Sequence, residues 1–142
     1  MVEWNGPPMA VAGAVLVVCI RCNRTGADEQ QTGMRRGSGL LHEVRASPPD
    51  PLVRIQPIAC TSGCKRACAI GLMAPNKVGH VFDGLPPDAS AAQAIAEVGA
   101  ARAASPDGLL PRATRPPPLQ PGILARLPPL AWTRGDEIAW PA

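Results

Sequence analysis

The sequence predicts a small mixed α/β sandwich of one sheet and a helical layer, and three observations predict it. A valine-rich apolar run at residues 14–20 is too short for a buried helix and reads as a strand buried on both faces. Two further short apolar stretches, 69–73 and 78–82, are separated by Ala74-Pro75-Asn76-Lys77, which is turn chemistry, so they form a hairpin. Ala91, Ala94, Ile95, Val98 and Arg102 recur at helical spacing between Asp88 or Ser90, either of which can cap, and Ser105-Pro106, which stops the helix.

The remaining elements fit around these. Residues 23–32 are polar, contain Gly26 and read as a loop; residues 39–46 give a short helix with Leu40, Leu41 and Val44 on one face, ended by Ser47-Pro48-Pro49. Leu52, Val53, Ile55 and Ile58 mark a second strand, which Pro57 confines to a sheet edge or ends near Gln56, because proline has no N–H to donate. The order strand, helix, strand, strand, helix matches a thioredoxin-like βαββα sandwich. Its first two strands pair in parallel through a crossover and the hairpin closes the sheet.

A chain of 142 residues is the size of one domain. It divides into an N-terminal extension at 1–12, the thioredoxin-like metal- or cluster-binding domain at 13–105, and a proline-rich extended tail at 106–142 that carries half of the prolines and no sustained periodicity. With no Tyr and one Phe the core is aliphatic and alanine-rich, buries little apolar area per residue and would gain from a bound metal.

The 14 basic and 11 acidic side chains are spread along the chain without interleaved aromatics, which argues against a nucleic-acid surface. The apolar run 9–20 is too short to span a bilayer and follows Glu3 rather than a basic segment, so neither a membrane anchor nor secretion is expected. A lipoprotein signal ending at Cys19 is disfavoured by the bulk of Val18. A cytoplasmic location follows, and with five cysteines in a reducing compartment a disulfide framework has little to recommend it.

The cysteines are spaced for a different purpose. Cys19-x2-Cys22 is followed by 37 residues and then Cys60-x3-Cys64-x3-Cys68. Two short-spaced pairs, each at the end of an expected strand, are what a four-thiolate site requires, since deprotonated sulfurs must converge from two rigid places. Cys19, Cys22, Cys60 and Cys64 are the expected ligands, with Cys68 as a fifth thiol that can replace one of them. Gly63 permits a tight turn, and Arg21, Arg24, Lys65 and Arg66 beside the ligands would lower thiol pKa values and offset the charge of a tetrathiolate centre. His42 and His80 lie in expected elements away from the cysteine loops and read as packing or surface residues rather than nitrogen ligands.

At Cys19-Ile20-Arg21-Cys22, at residues 60–68, and at Ala74-Pro75-Asn76-Lys77, the stretch from Val81-Phe82 to Asp88, Ser105-Pro106-Asp107-Gly108-Leu109 and Ala125-Arg126-Leu127-Pro128-Pro129, the sequence resembles the bacterial DUF1636 family of predicted metal-binding proteins, which are similar in pattern to thioredoxin-like 2Fe-2S ferredoxins. The resemblance spans roughly residues 15 to 130, leaving out residues 1–8 and 132–142, and Met9 is an alternative start. It implies metal binding and a loose association with cobalamin-related genes; the ferredoxins, whose first two cysteines are usually spaced more widely, imply a 2Fe-2S cluster.

The first expectation is therefore a 2Fe-2S protein for electron transfer or redox sensing, with a redox or metal-delivery protein as partner and a homodimer left open. The second is a zinc-binding or metal-carrier protein on the same thiolates. The third is a thiol–disulfide oxidoreductase using Cys19 and Cys22, against which Asn23-Arg24-Thr25-Gly26 reads as a loop where a helix N-terminus would be needed. No phosphate loop, carboxylate pair or Ser-His-Asp arrangement is evident, so the chain reads as a binding or electron-transfer protein rather than an enzyme.

Overall fold

The computed structural model describes residues 14–21, 33–49, 53–61, 67–121, 123–130, 135 and 137–138. Strand β1 (Ala14–Cys19) is followed by helix α1 (Arg36–Ala46), strand β2 (Val53–Ile58), the hairpin β3 (Ile70–Met73) and β4 (Gly79–Phe82), helix α2 (Ala89–Ala104), 3-10 turns at Arg112–Thr114 and Pro117–Leu119, and strand β5 (Ile123–Leu127). The sheet order is β2-β1-β3-β4-β5. The expected α/β architecture and the βαββα order are present.

β1 pairs in parallel with β2, from Ala14 opposite Val53 to Cys19 opposite Ile58, and antiparallel with β3. A parallel pair cannot be joined by a tight turn, which is why α1 intervenes. Pro57 sits within β2 and the strand continues to Ile58, because β2 is an edge strand and the absent N–H costs no ladder bond on its open side. Between β3 and β4, Asn76 takes a left-handed backbone (φ 57°), a conformation asparagine tolerates, and the Lys77 N–H bonds the Ala74 carbonyl at 3.3 Å.

One face of the sheet and the two helices enclose the core. Leu16, Val18, Ile70, Leu72 and Phe82 from the strands meet Leu40 and Val44 of α1 and Ile95 and Val98 of α2, all essentially inaccessible to water. The α2 N-terminus is capped as its sequence suggests: the Asp88 carboxylate accepts from the Ala91 N–H at 3.0 Å and from the Ser90 hydroxyl at 2.6 Å.

Two boundaries differ from expectation. α1 starts at Arg36, one turn before residue 39. Its N-cap position is Arg35, which offers no side-chain cap; the helix start is fixed instead by tertiary bonds, from Ser38 Oγ to the Ile20 carbonyl (3.0 Å) and from an Arg35 guanidinium N–H to the Arg21 carbonyl (3.2 Å). The proline-rich segment after residue 105, expected as an extended tail, supplies β5, which pairs antiparallel with β4, and Leu119, which is wholly inside the core. Its strand is only five residues long with an irregular burial pattern, so no period of two is visible in the sequence.

The first turn of α1 lies against the end of β1 so closely that a Cβ on Gly37 would fall 2.0 Å from the Cys19 carbonyl oxygen, whereas one on Gly39 would make an ordinary 3.5 Å contact with Pro87. Alanine normally stabilises a helix interior relative to glycine by roughly 0.5–1 kcal/mol. Gly39→Ala is therefore expected to raise the unfolding free energy by about that amount, and Gly37→Ala to lower it by about 1–3 kcal/mol as backbone is forced apart. Urea unfolding of the two variants measures both, and opposite signs are the expected outcome.

Candidate metal centre

The topology gathers the cysteine-bearing segments at one end of the sheet. Because β1 runs parallel to β2 and antiparallel to β3, the C-terminal ends of β1 and β2 and the beginning of β3 share that end. Cys19 is the last residue of β1, Cys60 follows β2 by two residues, and Cys68 precedes β3 by two. The segments are stitched together there: the Cys19 N–H bonds the Ala69 carbonyl at 3.2 Å and the Ile20 N–H bonds the Ile58 carbonyl at 2.9 Å. Cys22 and Cys64 lie outside the described residues, as do the loop at 23–32, Gly63, Arg24, Lys65 and Arg66.

The three described cysteines occupy different environments. Cys19 is wholly buried in a small cluster with Ala67 and Ala69; Cys68 is equally buried but belongs to the main core with Leu16, Val18 and Ile70. Cys68 is also fixed by reciprocal backbone bonds with Leu85, at 3.1 and 3.2 Å. Cys60 is exposed. Cys68 thus keeps the period-two step of Ile70 and Leu72 into the core, while Cys19 is out of step with Leu16 and Val18. Among the described residues no three His, Cys, Asp or Glu side chains are grouped to hold a metal, so Cys19, Cys60 and Cys68 do not make a centre by themselves. The four-thiolate set draws two members, Cys22 and Cys64, from outside the described residues. Its donors are those that zinc and iron–sulfur clusters take.

Two features of this end were not read from the sequence. The N-terminus of α1, whose dipole favours a thiolate, abuts the Cys19 backbone through Gly37. Arg35, remote in sequence from every cysteine, brings a guanidinium to the Arg21 carbonyl. Neither had a sequence signal, since Gly37 precedes the helix expected at 39–46 and joins it only in the structure.

The histidines are placed as expected of packing and surface residues. His42 is exposed on α1. His80 is buried in the middle of β4, opposite Leu72 on β3 and Arg126 on β5, and stacks on Phe82 with ring centroids 5.9 Å apart and planes 11° off parallel. Among the described residues neither of its ring nitrogens has a partner in hydrogen-bond geometry. Burial, followed by the positive charges of Arg102, Arg115 and Arg126, pushes its pKa down to about 4, against a small opposing influence of the Val78 backbone.

Among the described residues, no helix is long and apolar enough to cross a membrane. A family model described as a protein of unknown function (DUF1636) matches residues 16–129, a stretch that contains all five cysteines. Comparison with curated proteins and with solved structures finds no match.

Since His80 binds a proton less readily in the folded chain than in the unfolded one, its contribution is neutral above about pH 6.5 and destabilises progressively as pH falls toward about 4. Between pH 7 and pH 4.5 this amounts to about 2–3 kcal/mol. In urea titrations at those two pH values, His80→Leu is expected to lose that much less stability on acidification than the natural chain. An equal loss in both would show that His80 does not carry the dependence.

Proposed function

This chain belongs to the DUF1636 family, and from that premise we propose that it is a metal-binding protein whose cysteine-ligated centre is a 2Fe-2S cluster serving electron transfer or redox sensing, as the likeness to thioredoxin-like ferredoxins suggests. The ligands are Cys19, Cys22, Cys60 and Cys64. The observation that carries the reading is the common position of Cys19 and Cys60 at the ends of two hydrogen-bonded parallel strands, each leading directly into the segment that holds its pair mate. Pre-aligned strand ends reduce the ordering cost of closing four sulfurs on one centre. Arg21 and Arg35, and the N-terminus of α1, place positive potential where thiolate charge would accumulate. The packing of Cys68 in the main core assigns it to structure in this reading, leaving four ligands for one centre. The physiological partner is then a redox or metal-delivery protein.

Zinc on the same four thiolates is the alternative, and metal content separates the two. Anaerobic purification or reconstitution is expected to give a red-brown protein with visible charge-transfer bands and about two irons and about two sulfides per chain. Cys60→Ser, at an exposed position, should abolish the colour without unfolding the protein, and Cys68→Ala should keep it. A colourless protein carrying stoichiometric zinc would overturn the cluster; one that takes up neither metal would overturn the site.

A further inference from the structure

At the other edge of the sheet, away from β1 and β2, the segment after α2 folds over β4 and β5 and leaves a cavity of about 600 Å³. Among the described residues its polar lining is dominated by three guanidinium groups, those of Arg112, Arg115 and Arg126, with Asp107 as the one carboxylate. That carboxylate already accepts hydrogen bonds from the Leu109 N–H at 2.9 Å and the Ser105 hydroxyl at 3.1 Å. Leu109, Leu110 and Ile123 give the same cavity an apolar wall.

Arg115 is held in place. Arg115 is 7% exposed, its guanidinium lies 6.0 Å from the Phe82 ring centroid, and one of its terminal N–H groups bonds the Leu119 carbonyl at 3.2 Å. Its Nε is buried with no partner among the described residues, an unsatisfied donor on a charged group that would be costly without compensation. The positive charges of Arg112 and Arg126 add to burial in lowering the Arg115 pKa, which reflects how closely like charges have been assembled.

Arg126 reaches this wall through a β-bulge. In a regular strand Ile123 and Arg126 would point to opposite faces, but the pairing skips Leu124, with Val81 opposite Ala125 and Phe82 opposite Ile123. The extra residue turns Arg126 to the face of Ile123, and both line the cavity. Bulges re-aim side chains in this way next to binding sites.

We propose that this cavity is a binding site for a small organic anion, whose phosphate or carboxylate head is held by Arg112, Arg115 and Arg126 and whose apolar body lies against Leu109, Leu110 and Ile123. Guanidinium groups suit both heads, since their paired N–H donors match the spacing of two oxyanion oxygens. The inference is independent of any metal at the cysteine end.

Calorimetric titration of the full chain at fixed sodium chloride tests it with inorganic phosphate, hexyl phosphate and hexanoate. Saturable binding of one molecule per chain is expected for hexyl phosphate or hexanoate, which of the two identifying the head, with an affinity at least about tenfold above that of inorganic phosphate. Arg112→Ala, at an exposed position, should weaken the binding by roughly tenfold while leaving the thermal unfolding midpoint of the free protein unchanged, and Arg112→Lys should recover part of it. Absence of saturable binding, an affinity unaffected by Arg112→Ala, or a hexyl chain that adds nothing over inorganic phosphate would each overturn the proposal.

Discussion

The structure depends on β1 being hydrogen-bonded on both sides, to β2 in parallel and to β3 in antiparallel sense. A strand in that position has no edge to solvate, so its backbone groups must be satisfied by its neighbours and its side chains must be apolar. Val15, Leu16, Val18 and Cys19 meet that condition, each less than a tenth exposed. β1 also joins two halves of different character, the crossover unit through α1 and the hairpin unit followed by α2. Because the two neighbours run in opposite directions relative to each other, their chain ends on either side of β1 arrive at the same place, and this brings the segment after β2 beside the segment before β3. The gathering of Cys19, Cys60 and Cys68 at one end follows from strand polarity alone, without any contribution from the cysteines.

What was legible in the sequence is what has a local period or a local stop signal. The run of residues 14–20, the Ala74-Pro75-Asn76-Lys77 turn and the Asp88 cap each act through neighbours in sequence, and the elements they imply are present. The first turn of α1 was not legible because its stability is tertiary: Ser38 and Arg35 bond to carbonyls at the end of β1, and Arg35 is not a capping residue. β5 was hidden by its brevity and by the bulge at Leu124, which breaks the alternation that would reveal a strand. Cys68 is instructive for the opposite reason. Its place in step with Ile70 and Leu72 was readable as core, yet its regular spacing from Cys60 and Cys64 drew it into the ligand set. Spacing within a loop and alternation leading into a strand make competing claims on the same residue, and the packing of Cys68 with Leu16, Val18 and Ile70 meets the second.

The arginine-lined cavity was invisible in the sequence because it has no motif. Arg112, Arg115 and Arg126 are drawn from a turn, a turn end and a strand, with prolines between the last two, and only the return of the chain across β4 assembles them. The overall excess of three positive charges gave no hint of where they would concentrate.

That concentration raises an energetic question which the fold answers only in part. Arg102 is 1% exposed, and burial lowers its pKa to about 10, so it stays protonated at neutral pH. It donates to the Val78 carbonyl at 2.5 Å, as Arg115 donates to the Leu119 carbonyl, but the Nε of each has no partner among the described residues. Carbonyl dipoles and the face of Phe82 offset some of the desolvation of two buried cations, but a dipole neutralises no charge. Keeping His80 neutral, with its pKa near 4, removes a further positive charge that the same region would otherwise have to hold. The core thus excludes a proton from its histidine while keeping guanidinium groups at its edge. The proposed anion would approach from the side where Arg112 and Arg126 face water and meet Arg115, whose desolvation folding has already imposed.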